Sequence, residues 1–159
     1  MAIPESILRF VETHGIDFTP IHHRVAFTAQ EEAAATHVSG KEWAKTVVCM
    51  ADGTPVLAMV PANDHVDLNA LRAAAGASVV RLAAEHEFAR LYPECETGAM
   101  APFGPLYGQQ VFVDEALTRD REITFHAGTH ADAMRMRYDD FAALVRPVPA
   151  PIGRRSHLA

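Results

Sequence analysis

The sequence contains few of the residues on which several common classes of protein depend. Its two cysteines, Cys49 and Cys95, lie far apart and form no CxxC motif, so neither a disulfide framework nor a cysteine zinc site is indicated. The longest uncharged apolar run, VLAMVPA, is far too short to span a membrane. The N-terminal segment carries charges every few residues and lacks the apolar core of a secretion signal. These absences favour a cytoplasmic protein with no membrane partner.

Positive charge, and lysine in particular, is also scarce. The formal net charge is −6, and the only lysines are Lys41 and Lys45. An acidic balance argues against nonspecific binding of a long nucleic acid. Two interpretations of the lysine content stay open. Either the composition simply prefers arginine, or a lysine has been kept at a position where it has a particular task.

The bulk composition is that of an ordinary globular domain. The chain has 159 residues, of which 49% are hydrophobic and 21% are charged, enough for one domain with its own core. The last residues, RPVPAPIGRRSHLA, contain three prolines and no core pattern. We therefore expect a single domain over residues 1–146 and a loose C-terminal tail over residues 147–159.

The order of predicted elements indicates an α+β fold. Helices are predicted in IPESILRFVETHG, in TAQEEAAATH (a capping-box pattern), in DLNALRAAAG (with Asp67 as N-cap and Gly76 as stop), in AAEHEFARLY and in DDFAALV. Between them lie short β-rich runs, including a hairpin through Asp52-Gly53 and two strands bent at Ala127-Gly128. We expect a small mixed β-barrel, or a strongly curved sheet, of about seven strands with surrounding helices.

The histidines offer little support for a metal centre. His126 and His130 are four residues apart, but Gly128 lies between them and the flanking pattern is that of strands, so a helical pair is not expected. His22 and His23 would point to opposite faces of a strand. We expect no metal and no other cofactor. A metal-dependent hydrolase that uses these histidines remains the most distant alternative.

A side-chain nucleophile is not apparent either. The sequence has no G-x-S-x-G motif, Cys49 lies in an apolar run, and Cys95 has no neighbour that would lower its pKa. Two other features are candidates for a functional role. Lys45 begins the run KTVVCMA, where it is either a solvated strand end or an anchor for a phosphate or carboxylate. The loop TGAMAPFGP, residues 97–105, is either a plain connection or a rigid loop whose main chain binds a water or an oxyanion.

Read together, these segments resemble the YbaK/prolyl-tRNA synthetase-associated editing-domain family. The resemblance rests on KTVV at 45–48, a Gly-x-x-x-Pro loop at 98–102 and an Ala-Gly bend at 127–128, in that order. It extends to a preceding entry segment with the pattern H-x-x-x-x-T-x-x-E-x-A, formed by His23, Thr28, Glu31 and Ala33. The match covers roughly residues 5–146.

The resemblance implies a free-standing aminoacyl-tRNA deacylase that hydrolyses the ester of a tRNA mischarged with a small amino acid. Its partner would be the acceptor end of the tRNA with the attached amino acid, and an aminoacyl-tRNA synthetase is a further partner that the family allows. Such an activity exists because discrimination between amino acids that differ by one methylene yields only about 1–3 kcal/mol. The fold implied is a mixed β-barrel with surrounding helices.

The resemblance also implies which residues carry the function. Catalysis would use Lys45 as the substrate anchor and the main chain of the loop, formed by Gly98, Ala99, Met100, Ala101 and Pro102, to frame the ester carbonyl. Residues implied for substrate binding are Phe27, Thr28, Val47, Phe103, Gly128, Thr129 and His130. The competing hypothesis is a non-catalytic module on the same fold, which binds a small molecule or a partner without turnover.

Overall fold

A computed structural model describes residues 2–23 and 43–155, and within them it has a mixed α+β fold. Four α-helices are present in this part of the chain: α1 (Glu5–Thr13), α2 (Leu68–Ala75), α3 (Glu85–Leu91) and α4 (Tyr138–Val145). Its ten strands are β1 (Thr19–His22), β2 (Ala44–Ala51), β3 (Thr54–Pro61), β4 (Asp64–Val66), β5 (Val80–Leu82), β6 (Val111–Asp114), β7 (Glu122–His126), β8 (Asp132–Arg137), β9 (Val148–Ala150) and β10 (Gly153–Arg155). The α+β class predicted from the sequence is confirmed.

The strands are arranged in three sheets. The largest has the order β5-β2-β3-β6-β9, with antiparallel pairing from β5 to β3 and parallel pairing from β3 to β9. A three-stranded antiparallel sheet has the order β1-β8-β7, and β10 pairs with β4. An isolated parallel bridge between Trp43 and Thr124 joins the start of β2 to β7. Among the described strands no closed barrel forms, and closure stays a prediction.

The β2–β3 hairpin is the part of the fold that positions the site. Its turn places Asp52 at φ +50° and Gly53 at φ +81°, the left-handed pair that an Asp-Gly hairpin signal predicts. In the ladder, Lys45 is opposite Val60. Because side chains alternate along a strand, β2 and β3 divide their residues between two apolar cores, one on each face of the sheet.

The main core lies on the face that carries the even-numbered residues of β2. It includes Val48 from β2, the buried face of α1, and the aromatic side chains Phe88, Phe103, Phe125 and Phe141. The second core lies on the opposite face and includes Cys49, Val60 and Leu71. Odd-numbered residues of β2, among them Lys45 and Val47, therefore share a face with the second core.

Local signals in the sequence account for the buried face of α1 and for both ends of α2. Both Ile7 and Val11 of α1 are buried, one turn apart, as the helical periodicity predicts. Helix α2 begins after Asp67, whose Oδ1 accepts hydrogen bonds from the N–H groups of Asn69 and Ala70, and it ends at Gly76 with φ +65°. The predicted N-cap and stop signal are both confirmed.

The prediction of a loose tail is wrong for residues 148–155. Strand β9 adds to β6 in the large sheet, and β10 pairs with β4. Between these two strands Ile152 is fully buried in the second core. The three prolines of this tail lie in or beside β9, an edge strand of the sheet, where a missing N–H is tolerated.

Two further expectations concern other parts of the chain. The helix predicted in TAQEEAAATH lies outside the described residues. Within the described residues, none of the helices is both long and apolar enough to cross a membrane.

Candidate functional site

The loop from Glu96 to Ala99 is clamped to the bend between β7 and β8. Gly128 donates its N–H to the carbonyl of Ala99 at 2.7 Å, and Glu96 donates its N–H to the carbonyl of Gly128 at 2.8 Å. The N–H of His130 donates to Oε1 of Glu96 at 2.7 Å. Two segments some thirty residues apart in sequence are thus held as one unit.

The imidazole of His130 completes this clamp. Its Nε2 lies 2.8 Å from the carbonyl oxygen of Thr97, so this nitrogen carries the proton and donates it to the carbonyl. The ring also contacts that of His126 edge-on, with 5.5 Å between the centroids. This hydrogen bond from His130 therefore helps to fix the main chain of the loop.

The clamped loop leaves several main-chain donors unused. Among the described residues, the N–H groups of Gly98, Met100 and Ala101 donate to no protein acceptor. Met100 and Ala101 are buried, and a buried amide without an acceptor is rare in folded proteins. Gly98 has φ +83°, a backbone conformation that favours glycine. The geometry is that of a rigid loop with amides ready for a bound group.

An open cavity of about 300 Å³ lies between this loop, the edge of β2 and the start of α3. The loop contributes Thr97, Gly98 and Met100 to its lining, and β2 contributes residues 45–48. The remaining lining residues are Leu82, Ala83, Ala84, Glu85 and Phe88. Strand β5 pairs with β2 only along residues 49–51, which leaves the edge of β2 open where the cavity begins.

Lys45 is half-buried at this edge, and its surroundings shift the pKa of its ammonium. Burial lowers the pKa of its ammonium below the ordinary value, and the nearby Asp64 carboxylate opposes this change by raising it. Burial and the neighbouring Asp114 raise the pKa of Asp64 in turn, while the positive charge of Arg155 lowers it. The cavity thus has a cation, Lys45, and a carboxylate, Glu85, in its lining.

A comparison with protein families identifies the domain. The model of the aminoacyl-tRNA editing domain matches residues 23–144, most of the chain. The chain belongs to the aminoacyl-tRNA editing domain family. Because this family acts on aminoacyl-tRNA, the comparison supports aminoacyl-tRNA editing at the level of the family. A search of curated protein sequences finds no significant match.

Solved structures have the same fold as this editing domain. One, a hypothetical protein (APE2540), is 19% identical with a TM-score of 0.84, covering 94% of this chain and 100% of its own. A proposed trans-editing enzyme for prolyl-tRNA synthetase is 22% identical with a TM-score of 0.80, covering 96% of this chain and 99% of its own. A proposed signal transduction protein from Marinobacter aquaeolei VT8 is 16% identical with a TM-score of 0.74, covering 95% of this chain and 31% of its own.

The fold brings several residues implied by the sequence into one place. Lys45, Val47, Gly98 and Met100 all line the cavity. Ala99, which is fully buried, receives the hydrogen bond of the clamp through its carbonyl. Ala101 and Pro102 are buried directly after these residues in the same loop.

Other implied residues support the site from outside the cavity lining. Phe103 is fully buried in the main core, where its ring contacts those of Phe10, Phe125 and Phe141. Thr129 is buried and donates its hydroxyl to Oδ2 of Asp132 at 2.6 Å. Gly128 packs so closely against Pro4 that an added Cβ would lie 2.3 Å from Cδ of the proline. Phe27 and Thr28 lie outside the described residues.

The histidines are engaged in separate contacts. The Nδ1 of His22 bonds Oδ1 of Asp132 at 2.7 Å, whereas His126 contacts the rings of Trp43 and His130. Across residues 2–23 and 43–155, no three His, Cys, Asp or Glu side chains are grouped as a metal ion would require.

Sequence reasoning missed eight of the lining residues, among them Thr46, Glu85 and Phe88. Thr46 follows Lys45 directly, so the strand prediction already placed it beside the site, but its orientation depends on the register of β2. Phe88 belongs to the apolar face of a predicted helix and was indistinguishable from any other core residue. Glu85 is the first residue of α3, a position where acidic side chains are common for helix stability alone.

Proposed function

We propose that this editing domain hydrolyses the ester bond of mischarged tRNA carrying a small amino acid, and that it does so in trans. The observation that carries the proposal is the cavity in which Lys45 lies with the main chain of Gly98 and Met100. This arrangement supplies a cation for the substrate and free amides for the reacting carbonyl. It contains no activated side-chain nucleophile among the described residues that line it.

The absence of a nucleophile in this lining is consistent with the chemistry. An aminoacyl ester is already labile, so the reaction requires a positioned water and a donor for the developing oxyanion. The unused N–H groups of Gly98 and Met100 are the donors that we assign to this task. A single oxyanion donor of this kind typically contributes about 3–4 kcal/mol to the stabilisation of the transition state. The ribose hydroxyl next to the ester assists the attacking water.

Both cysteines are unsuited to a covalent route. Burial raises the pKa of Cys49 to about 11, and burial likewise raises the pKa of Cys95 to about 11. A thiol with such a pKa is almost fully protonated near neutrality and is a poor nucleophile. A hydrolysis that uses water directly is therefore the mechanism we propose.

Lys45 anchors the substrate in this mechanism. As a residue of the cavity lining, Lys45 attracts the terminal phosphate of the tRNA or the ester region through its ammonium, and its half-buried position strengthens this interaction relative to bulk water. A domain that binds only the acceptor end of the tRNA requires a local positive charge, and the protein as a whole does not need a positive net charge. The net charge of −6 is therefore compatible with the function, and the salt dependence of binding should be shallow.

The size of the cavity favours a small amino acid. A volume of about 300 Å³ is at the lower end of ligand pockets and must also accept part of the terminal ribose. Alanine, serine, threonine and cysteine are the candidate amino acids. One similar structure is that of a proposed trans-editing enzyme for prolyl-tRNA synthetase, so the tRNA specific for proline is the first tRNA to test.

The test is deacylation of the proline-specific tRNA charged with alanine, serine, threonine, cysteine or proline. The same amino acids on their own cognate tRNAs are tested beside it. We expect wild-type protein to hydrolyse one or two of these esters without loss on addition of EDTA. Lys45→Ala should lower kcat/KM by at least about ten-fold, because one charge-assisted contact is lost. Arg72→Ala, which removes an exposed cation on α2, is the matched control and should leave turnover unchanged.

The other outcomes separate the competing functions. No turnover across the panel by folded protein would favour the non-catalytic binding module. Loss of turnover with EDTA would contradict the mechanism proposed here. Equal turnover by wild type and Lys45→Ala would contradict the role of Lys45.

A further inference from the structure

The hydroxyl of Thr46 is an unexplained polar group at the candidate site. Its Oγ1 is buried, and among the described residues it has no hydrogen-bond partner. The residue lies in the lining of the cavity, on strand β2 between Lys45 and Val47. Most buried hydroxyl groups in folded proteins are paired, so an unpaired one in a cavity requires an explanation.

The main chain of Thr46 faces the same open edge. The carbonyl of Val48 accepts the N–H of Ala83, which follows β5, and so points away from β3. The carbonyl of Trp43 accepts the N–H of Ala62, which follows β3, so odd-numbered residues of this strand bond in the opposite direction. Because the pattern repeats every two residues, both the N–H and the carbonyl of Thr46 point towards the cavity edge.

No described strand covers this edge at Thr46. Strand β5 ends its pairing at Cys49, and the isolated bridge to β7 lies at Trp43, so the open stretch falls between the two. Thr46 therefore offers two acceptors, its carbonyl and its hydroxyl oxygen, within one residue. The carboxylate of Glu85 belongs to the same lining and adds negative charge.

We propose that Thr46 binds the α-ammonium group of the amino acid carried by the substrate. An ammonium has three N–H donors and no acceptor, so it requires several acceptors and gains from a nearby carboxylate. The carbonyl and hydroxyl of Thr46, with Glu85 in the same cavity, provide this set. Lys45 repels an ammonium and attracts the anionic parts of the substrate, which assigns the two ends of the ligand to different residues.

This inference rests on the proposed function for the identity of the ligand, and it adds a specificity. Recognition of the α-ammonium would be common to all amino acids, whereas the apolar lining residues would select by size. A substrate with an acetylated amine keeps its ester but loses the positive charge and two of the three donors. The domain should therefore discriminate against N-acetylated aminoacyl esters.

Binding of non-hydrolysable analogues tests the inference without requiring turnover. We would measure by calorimetry the affinity of adenosine carrying alanine on its 3′ position through an amide bond, and of the same compound with an acetylated α-amine. Wild-type protein should prefer the free amine by at least about ten-fold, the size of one or two charge-assisted hydrogen bonds. Thr46→Val, which removes the hydroxyl and keeps the shape, should lose most of this preference. Thr46→Ser should retain it.

Thr124→Val is the matched control. Thr124 on β7 is fully buried, and its Oγ1 also has no partner among the described residues, but it is not part of the cavity lining. Both valine variants remove an unpaired buried hydroxyl, so their melting temperatures should equal or exceed that of wild type. The Thr124→Val protein should keep the wild-type preference for the free amine.

Three outcomes would overturn the inference. They are equal binding of both analogues by wild type, an unchanged preference in Thr46→Val, and an equal loss in Thr124→Val. The proposed function fails independently of these. If wild type prefers the free amine and Thr46→Val loses that preference, but no aminoacyl-tRNA is hydrolysed, the assignment of Thr46 stands and the deacylase does not. If it hydrolyses esters without a preference for the free amine, the deacylase stands and the assignment of Thr46 fails.

Discussion

Replacing Gly98 with alanine tests whether the main chain of this loop acts in catalysis or only connects two elements. Gly98 has φ +83°, and a Cβ added there would lie 3.8 Å from Cε1 of His130, an ordinary van der Waals contact. The cost of the substitution is therefore backbone strain rather than a clash. For an L-residue in the left-handed region this cost is about 1–2 kcal/mol. The loop can relieve the strain only by moving its amides.

The strain is small compared with the stability of a domain. For a free energy of unfolding of about 5 kcal/mol or more, a loss of about 2 kcal/mol leaves roughly 99% of the molecules folded. Catalysis should be more sensitive, because a misplacement of the order of 1 Å can lower a rate by about 100-fold. We expect Gly98→Ala to reduce kcat/KM for aminoacyl-tRNA by at least about ten-fold.

Gly53 supplies the matched control for this experiment. It has φ +81° in the β2–β3 turn, and nothing lies within 4 Å of an added Cβ. Gly53→Ala should therefore lose the same 1–2 kcal/mol in urea denaturation while keeping wild-type kcat/KM. Turnover by folded Gly98→Ala within two-fold of wild type would refute the assignment of this main chain to the reaction. An equal loss of turnover in both variants would refute it as well.

Two further predictions concern charged and nucleophilic groups near the site. Burial lowers the pKa of Lys45 and the Asp64 carboxylate partly opposes this change; Asp64→Asn removes that opposition, so the ammonium should lose its proton at lower pH. We expect the alkaline fall in kcat/KM, after subtraction of spontaneous ester hydrolysis, to move to lower pH in this variant; an unchanged or upward shift would contradict the reasoning. Burial of Cys95 predicts slow alkylation by iodoacetamide at pH 7 and wild-type turnover by Cys95→Ala. Inactivation in step with alkylation of this thiol would instead indicate a covalent mechanism.

The parts of the fold that the sequence predicts well are those specified by local chemistry. Asp52-Gly53 defines its hairpin because both residues must adopt positive φ, and few residue pairs do so readily. Asp67 defines the start of α2 because its carboxylate satisfies two amides that the helix cannot. Each signal depends on residues adjacent in the chain, so no knowledge of tertiary structure is required.

The prediction of a loose tail failed because the evidence against it is not local. Residues 148–155 contain three of the features that usually mark a connection: prolines, a glycine and adjacent arginines. They form strands because the edges of β6 and β4 are available to them and because Ile152 completes the second core. A strand of three residues has almost no periodicity to detect, and its partner decides whether it forms.

The candidate site shows the same division between local and tertiary information. A Gly-x-x-x-Pro loop can be read from the sequence, and so can the bend at 127–128. The contact between the loop and the bend cannot be predicted in this way. It includes a main-chain hydrogen bond from Gly128 to Ala99, and such a bond does not depend on residue type. The order of the segments indicated the site only because a family with the same order was known.

The distinction between Lys45 and Thr46 depends on register. The segment KTVV predicts a strand, and a strand places these two neighbours on opposite faces. Which face meets the loop at 98–102 is decided by the pairing of Lys45 with Val60, because a shift of one residue in the β2–β3 ladder would exchange the two faces. The Asp52-Gly53 turn fixes that pairing. The hairpin turn, which lies outside the cavity lining, therefore determines which face of the sheet each of these two lining residues occupies.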